Sequence, residues 1–232
     1  MSSDVFALVL LAGLAVGGVV AYVKWRGEQA RREQLLGWAT ANGWRFAATN
    51  TVITNGLNHH PFDEGDHRRS GNVITGSHGG RDFSAFDYSY RTHQQTGSGG
   101  REATTHHFAV CTVVLPTYLP DLVVTPENML MRVGQSMGLS DLELESDEFN
   151  RAFRVQAGDP KFASDVLPAR TMQLLLAHRG ISLRIDGRFL VGWRQGETSI
   201  AGISDQLAAL CGVAAGIPDF VRRDYGAQPA VG

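Results

Sequence analysis

The sequence predicts an α+β protein: an N-terminal transmembrane helix followed by an antiparallel β-sheet domain with packed helices. Three observations carry this reading. The run Val5–Val23, VFALVLLAGLAVGGVVAYV, holds nineteen residues with no ionisable side chain except Tyr22. Beyond it, apolar and polar residues alternate over short stretches bounded by glycine and asparagine, as in half-buried strands. Between those stretches, a capping residue followed by proline, as in Asp159-Pro160, opens segments of helical spacing.

Nineteen helical residues span roughly 28 Å, close to the roughly 30 Å of a bilayer's hydrocarbon core. A helix suits that setting because it pairs every backbone N–H and C=O internally. Met1-Ser2-Ser3-Asp4 carries no Lys or Arg, and no small-residue cleavage pattern follows Val23. The run therefore reads as a retained anchor and not as a cleaved signal peptide. Lys24, Arg26, Arg31 and Arg32 follow it, against Glu28 and Glu33. By the positive-inside rule this predicts a single-pass plasma-membrane protein, N-terminus outside and C-terminal domain cytoplasmic, with Tyr22 and Trp25 at the interface. The predicted anchor residues are Val5, Leu10, Gly13, Gly17, Val23, Lys24, Trp25 and Arg26. Gly13 and Gly17 form a GxxxG pair with two readings: close approach of a second helix, or the ordinary frequency of glycine in membrane helices.

Residues 1–26 are thus the anchor, 27–43 a juxtamembrane amphipathic helix, and 44–232 a cytosolic α+β domain. In the second segment Leu35, Leu36, Trp38 and Ala39 fall on one side, and Asn42-Gly43 ends the helix. Trp44, Phe46 and Ala48 mark a strand. Residues 55–72 are rich in turn formers and read mostly as loop. A short strand over 72–76, a turn at Ser77-His78-Gly79-Gly80 and a strand over 81–92 make a hairpin, with Phe83 and Ala85 on one face and Phe86, Tyr88 and Tyr90 on the other. That aromatic row fits packing beneath a helix, or a partner-binding face.

After a polar connection over 94–105, the segment 106–115 is apolar on both faces, as in a central strand. A shorter strand follows at Leu122-Val123-Val124. Thr125-Pro126 then predicts a helix to Gly138. Strands are predicted around Leu142–Leu144 and Phe149–Val155, and helices from Asp159-Pro160 to Gly180, restarting at Pro168. Ile181–Ile185 and Phe189–Trp193 predict a hairpin through an odd-length loop at Asp186-Gly187-Arg188, pairing Ile185 with Phe189. A last helix starts at Ser204, with Leu207, Leu210, Cys211 and Ala214 inward, and ends at Gly216; the tail after Tyr225 is read as loose.

A net charge of −2 at pH 7 offers no basic groove, so no nucleic-acid partner is predicted. Cys111 and Cys211 form no CxxC and read as small core residues in a reducing compartment. Seven of the eight histidines fall between His59 and His107, with Asp63, Glu64, Asp66 and Asp87 among them. Two histidines and a carboxylate can hold zinc, which makes His59, His60, His67 and His106 the metal candidates. Adjacent histidines on a strand point to opposite faces, however, and the spacings match no zinc signature. No catalytic set and no cofactor are predicted: Gly76–Arg81 precedes a strand and not a helix, and no serine sits in a nucleophile elbow.

The anchor with LLGWATANGWRF, the Gly-Arg-x-Phe-x-x-Phe-Asp-Tyr strand (Gly80–Tyr88) and the Glu-Ser-x-x-Phe-Asn-Arg-x-Phe-x-Val run (Glu145–Val155) resemble an uncharacterised bacterial family of single-pass membrane proteins, actinobacterial in type. The resemblance covers most of the chain and implies its location and architecture, without an active site. Two functions are carried forward. One is a membrane-anchored cytosolic binding or scaffold module, partnered by the lipid bilayer and, through Gly13 and Gly17, by a membrane protein or a second copy. The other is a metal-dependent hydrolase using the histidine-rich loops of residues 59–107.

Overall fold

A computed structural model describes residues 3–50, 53–95, 101–127 and 139–226, with the side chains of residues 3–10 outside that description. The first helix, α1 (Ser3–Ala41), runs unbroken through the apolar run and the juxtamembrane segment. It ends where predicted: Gly43 takes φ 72° and donates its N–H to the Thr40 carbonyl, an ending glycine adopts without a Cβ clash. Among the described residues no helix is long and apolar enough to cross a membrane; the predicted anchor positions Val5 and Leu10 lie outside the described side chains. From Leu11 to Glu28 every residue of α1 is exposed. Leu35 and Ala39 are buried, while Leu36, expected inward with them, is 46% exposed, because it sits about 100° around the helix from Leu35.

Strands β1 (Arg45–Thr49), β2 (Asp66–His78), β3 (Arg81–Gln95), β4 (Arg101–Pro126), β5 (Ser140–Leu142), β6 (Phe153–Ala157) and β7 (Ser182–Gln195) form one antiparallel sheet. The order is β1-β2-β3-β4-β6-β5, with β7 pairing β4. Gly79 and Gly80, at φ 58° and 75°, make the predicted turn and set His78 opposite Arg81. β2 begins at Asp66, inside the predicted loop. Its register shifts between Asp66 and Arg69 and again between Gly71 and Ile74, with His67 and Asn72 at φ 49° and 48°. Two bulges break the alternation that identifies a strand.

The two strands predicted over 106–115 and 122–124 are parts of β4. It pairs with β3 along its first half, with β6 along its second, and with β7 along both. Pro116 and Pro120 lack the N–H for a regular ladder, and the register with β7 shifts around Leu119, where prolines are tolerated. Thr125 and Pro126, predicted to open a helix, end β4 opposite Arg154 and Phe153; residues 128–138 lie outside the described residues.

The predicted hairpin at 181–193 is likewise one strand. Ile185 pairs with Leu122 and Phe189 with Val114, so both halves run along β4 instead of folding on each other. Gly187, the signal read as a turn, lies within the strand at φ 58° opposite Leu119, where the extra residues of the irregular register belong to β4. A Cβ there would meet the Tyr118 ring at 3.1 Å, so glycine serves both the conformation and the close approach.

Helix α2 (Asp147–Ala152) replaces the strand predicted around Phe149: Ser146 Oγ accepts from Phe149 N at 3.3 Å, a cap that starts a helix. Helices α3 (Pro160–Val166) and α4 (Ala169–Ala177) lie where predicted, with Asp159 capping the first. Helix α5 (Ile200–Gly216) starts before the predicted Ser204, because Ser199 caps it by accepting from Gly202 N. The short α6 (Asp219–Asp224) closes the described chain; the tail from residue 227 lies outside it.

The sheet buries both faces. One packs the helices over Phe83, Ala85, Cys111, Val113 and Leu190, with Leu35 and Ala39 of α1. The other carries Phe86, Tyr88, Tyr90, Phe108, Val110, Val191 and Trp193. A helix was the expected cover for its aromatic row; instead Leu57 and Phe62 of the segment before β2 close it.

Candidate functional site

Arg31, Leu35 and Ala39 are spaced four apart and so form one stripe of α1. Phe83, Ala85 and Asp87 are spaced two apart and share one face of β3. The apolar pairs of both stripes belong to one core, and the charges at the ends of the stripes meet. Arg31 Nη1 lies 2.9 Å from Asp87 Oδ2 and donates to the Thr198 carbonyl at 3.1 Å, while Nη2 reaches Glu28 Oε1 at 2.7 Å. Glu197 stands 3.6 Å away. Burial pulls the guanidinium pKa down, but Asp87, Glu28 and Glu197 outweigh it and hold Arg31 above its ordinary value.

Asp87 is more than a counter-ion. Its Oδ1 accepts from Thr198 N at 2.7 Å and Thr198 Oγ1 at 2.8 Å, and its Oδ2 from Asn72 Nδ2 at 2.8 Å. Asn72 reaches it from the second β2 bulge, where the left-handed backbone re-aims the side chain. One carboxylate thus ties together α1, β2, β3 and the loop between β7 and α5. Asp87, counted above among carboxylates near the histidines, spends its oxygens here. Sequence reasoning passed over Arg31 and Thr198 as partners; the legible signal was a charge at the strand position continuing Phe83 and Ala85.

A groove of about 470 Å³ opens beside this joint, between α1 and strands β1 to β4. Arg32, Thr49, Arg69, Ser89 and His107 are among its lining residues.

The metal candidates do not converge. His60 Nδ1 is 2.5 Å from Glu64 Oε1, and Tyr90 donates to Glu64 Oε2 at 2.5 Å. Burial raises the Glu64 pKa, but those hydrogen bonds and the nearby imidazoles prevail and keep it below its ordinary value. His106 stacks on Tyr90 at 4.8 Å and pairs with Thr92. His59 is buried against Phe62 and Trp193, with Nδ1 bonded to the His60 carbonyl and Nε2 3.5 Å from Asp186. Burial lowers its pKa, and Arg184 adds to that. His67 is exposed at the first β2 bulge. Among the described residues no group of three His, Cys, Asp or Glu side chains is placed to hold a metal. His59, His60 and His106 instead pack on the rings of the aromatic face.

Of the other anchor positions, Val23 and Trp25 are 62% and 57% exposed, Lys24 and Arg26 are exposed, and Tyr22 and Trp25 rings stand 6.1 Å apart. A Cβ on Gly13 or Gly17 would meet nothing within 4 Å among the described residues.

No protein-family model matches the chain, and no curated protein matches it. Among solved structures, its fold is similar to that of the mycobacterial trehalose monomycolate transport factor A. The two share 11% identity, with a TM-score of 0.65 over 88% of this chain and 99% of that one. At that identity the likeness is one of fold, shared with a protein of actinobacterial origin.

Proposed function

We propose that this chain is a membrane-anchored accessory module: α1 crosses the plasma membrane once, N-terminus outside, and holds a non-enzymatic binding domain at the cytoplasmic surface. The observation that carries the reading is the apolar surface of α1. Leu11, Leu14, Val16, Val19 and Val23 are each more than 60% exposed, and every residue from Leu11 to Glu28 is exposed. Exposed apolar area costs about 25 cal/mol per Å² in water, and lipid removes that cost. The uncharged run of the sequence, continuing back to Val5, is long enough to span. The basic residues after it favour a cytoplasmic domain. The fold likeness to a protein named as a transport factor supports an accessory role for this chain in moving a substrate across or along the membrane. The open face at Gly13 and Gly17 gives a second helix room to approach.

Carbonate washing of membranes from cells expressing the full chain tests the anchor: the protein stays in the pellet, and release into the supernatant would sink the reading. Protease added to spheroplasts tests the orientation, since a cytoplasmic sheet domain survives until the membrane is opened.

A further inference from the structure

We propose that the groove beside α1 binds the phosphate of an anionic lipid headgroup at the membrane surface. The inference rests on the anchored reading and names the partner chemistry of the site described above. Its cations are available. Arg32 and Arg69 line the groove, and among the described residues neither has a hydrogen-bond or ion-pair partner. Its carboxylates are largely spoken for: Glu28 and Asp87 are held by Arg31, and only Glu197, 3.6 Å from Arg31, is looser. Ser89 and Thr49 add hydroxyls that a phosphate oxygen can accept from.

The position fits as well. Glu28 and Arg32 lie five and nine residues past Val23, about 8 and 14 Å along an upright helix. The polar headgroup layer extends roughly 5–7 Å beyond the hydrocarbon on each side. The groove therefore starts at the outer edge of the headgroups. Helical side chains lean toward the helix N-terminus, so Arg32 extends back toward the bilayer. A phosphodiester that rises slightly from the layer meets two guanidinium groups suited to its geometry.

The full chain in nonionic detergent is titrated calorimetrically with dihexanoyl phosphatidylglycerol, dihexanoyl phosphatidylcholine and inorganic phosphate. Phosphatidylglycerol binds saturably and at least tenfold more tightly than the zwitterionic lipid. Each of Arg32→Gln and Arg69→Gln weakens it by about fivefold, whereas Arg170→Gln with Arg223→Gln, exposed and outside the groove, changes it less than twofold. An unchanged affinity in the Arg32→Gln/Arg69→Gln protein, with its unfolding midpoint preserved, overturns the site, as does the absence of binding. Inorganic phosphate binding as tightly as the lipid overturns the lipid source and leaves a free-phosphate site. A chain that is released by carbonate yet still binds phosphatidylglycerol overturns the anchor and spares the groove.

Discussion

Arg31 on α1 and Asp87 on β3, fifty-six positions apart in sequence, meet at 2.9 Å with side chains only 19% and 18% exposed. The pair lies at the edge of the apolar core that Leu35 and Ala39 of α1 share with Phe83 and Ala85 of β3. A screened surface pair contributes little, but here each partner also holds other groups.

Replacing Asp87 by alanine removes the acceptor for Arg31, Asn72 and Thr198 at once. Hydrogen bonds to charged groups contribute about 1.5–3 kcal/mol each before relaxation. Asp87→Ala is expected to cost about 3 kcal/mol and Arg31→Ala about 1.5 kcal/mol. Urea unfolding of both variants and the double variant gives the coupling; independent, additive losses would mean that the two side chains do not interact.

An arginine in the apolar run separates lipid exposure from water exposure. Placing a charge at the centre of a membrane helix costs about 2.5–3.5 kcal/mol of insertion. Val16→Arg should shift a measurable share of the chain from the membrane fraction to the soluble fraction, read by quantitative blotting. An unchanged distribution counts against a spanning α1.

Acidification should loosen the cover of the aromatic face. Burial, followed by Arg184, lowers the His59 pKa, against the opposing pull of Asp186 and Asp63. The unfolded chain then binds a proton near pH 6.5 that the folded chain does not, so stability falls as pH drops below about 6.5. Glu64 acts in a lower window, since its depressed folded pKa means its contribution starts to fade only below about 4.3. Thermal midpoints from pH 7.5 to 5 should decline for the wild type and flatten for His59→Gln; parallel profiles would refute the assignment.

Gly187→Ala puts a Cβ on a left-handed residue and against the Tyr118 ring at 3.1 Å. The backbone penalty alone is about 1–2 kcal/mol. A midpoint unchanged in denaturant would show that the β4–β7 bulge tolerates other backbone shapes.

Regular patterning was readable where it was uninterrupted. The Gly79-Gly80 turn, the opposed faces of β3 and the caps at Asp159 and Gly43 follow from local chemistry. What misled was irregularity: bulges at His67 and Asn72 masked the start of β2, and Gly187 imitated a hairpin turn. The neighbours of β7 depend on contacts with residues some seventy positions earlier, which spacing within 181–193 cannot report. The charged joint was missed for the same reason. Arg31 was counted among the basic residues that follow the apolar run, and Asp87 as a carboxylate near histidines. The histidine density was visible, but its use depends on which rings reach Glu64 and Trp193.

The unbroken course of α1 from Ser3 to Ala41 has a mechanical meaning once its far end is pinned at Asp87. A helix of thirty-nine residues is about 58 Å long, and it contains no joint at which the sheet could swivel. In the proposed membrane-spanning topology, the domain would stand at a fixed height above the lipid and turn only as the whole shaft turns. Bilayers of different thickness, which tilt such helices, would then lean the sheet itself, and membrane thickness would become a quantity the domain could register.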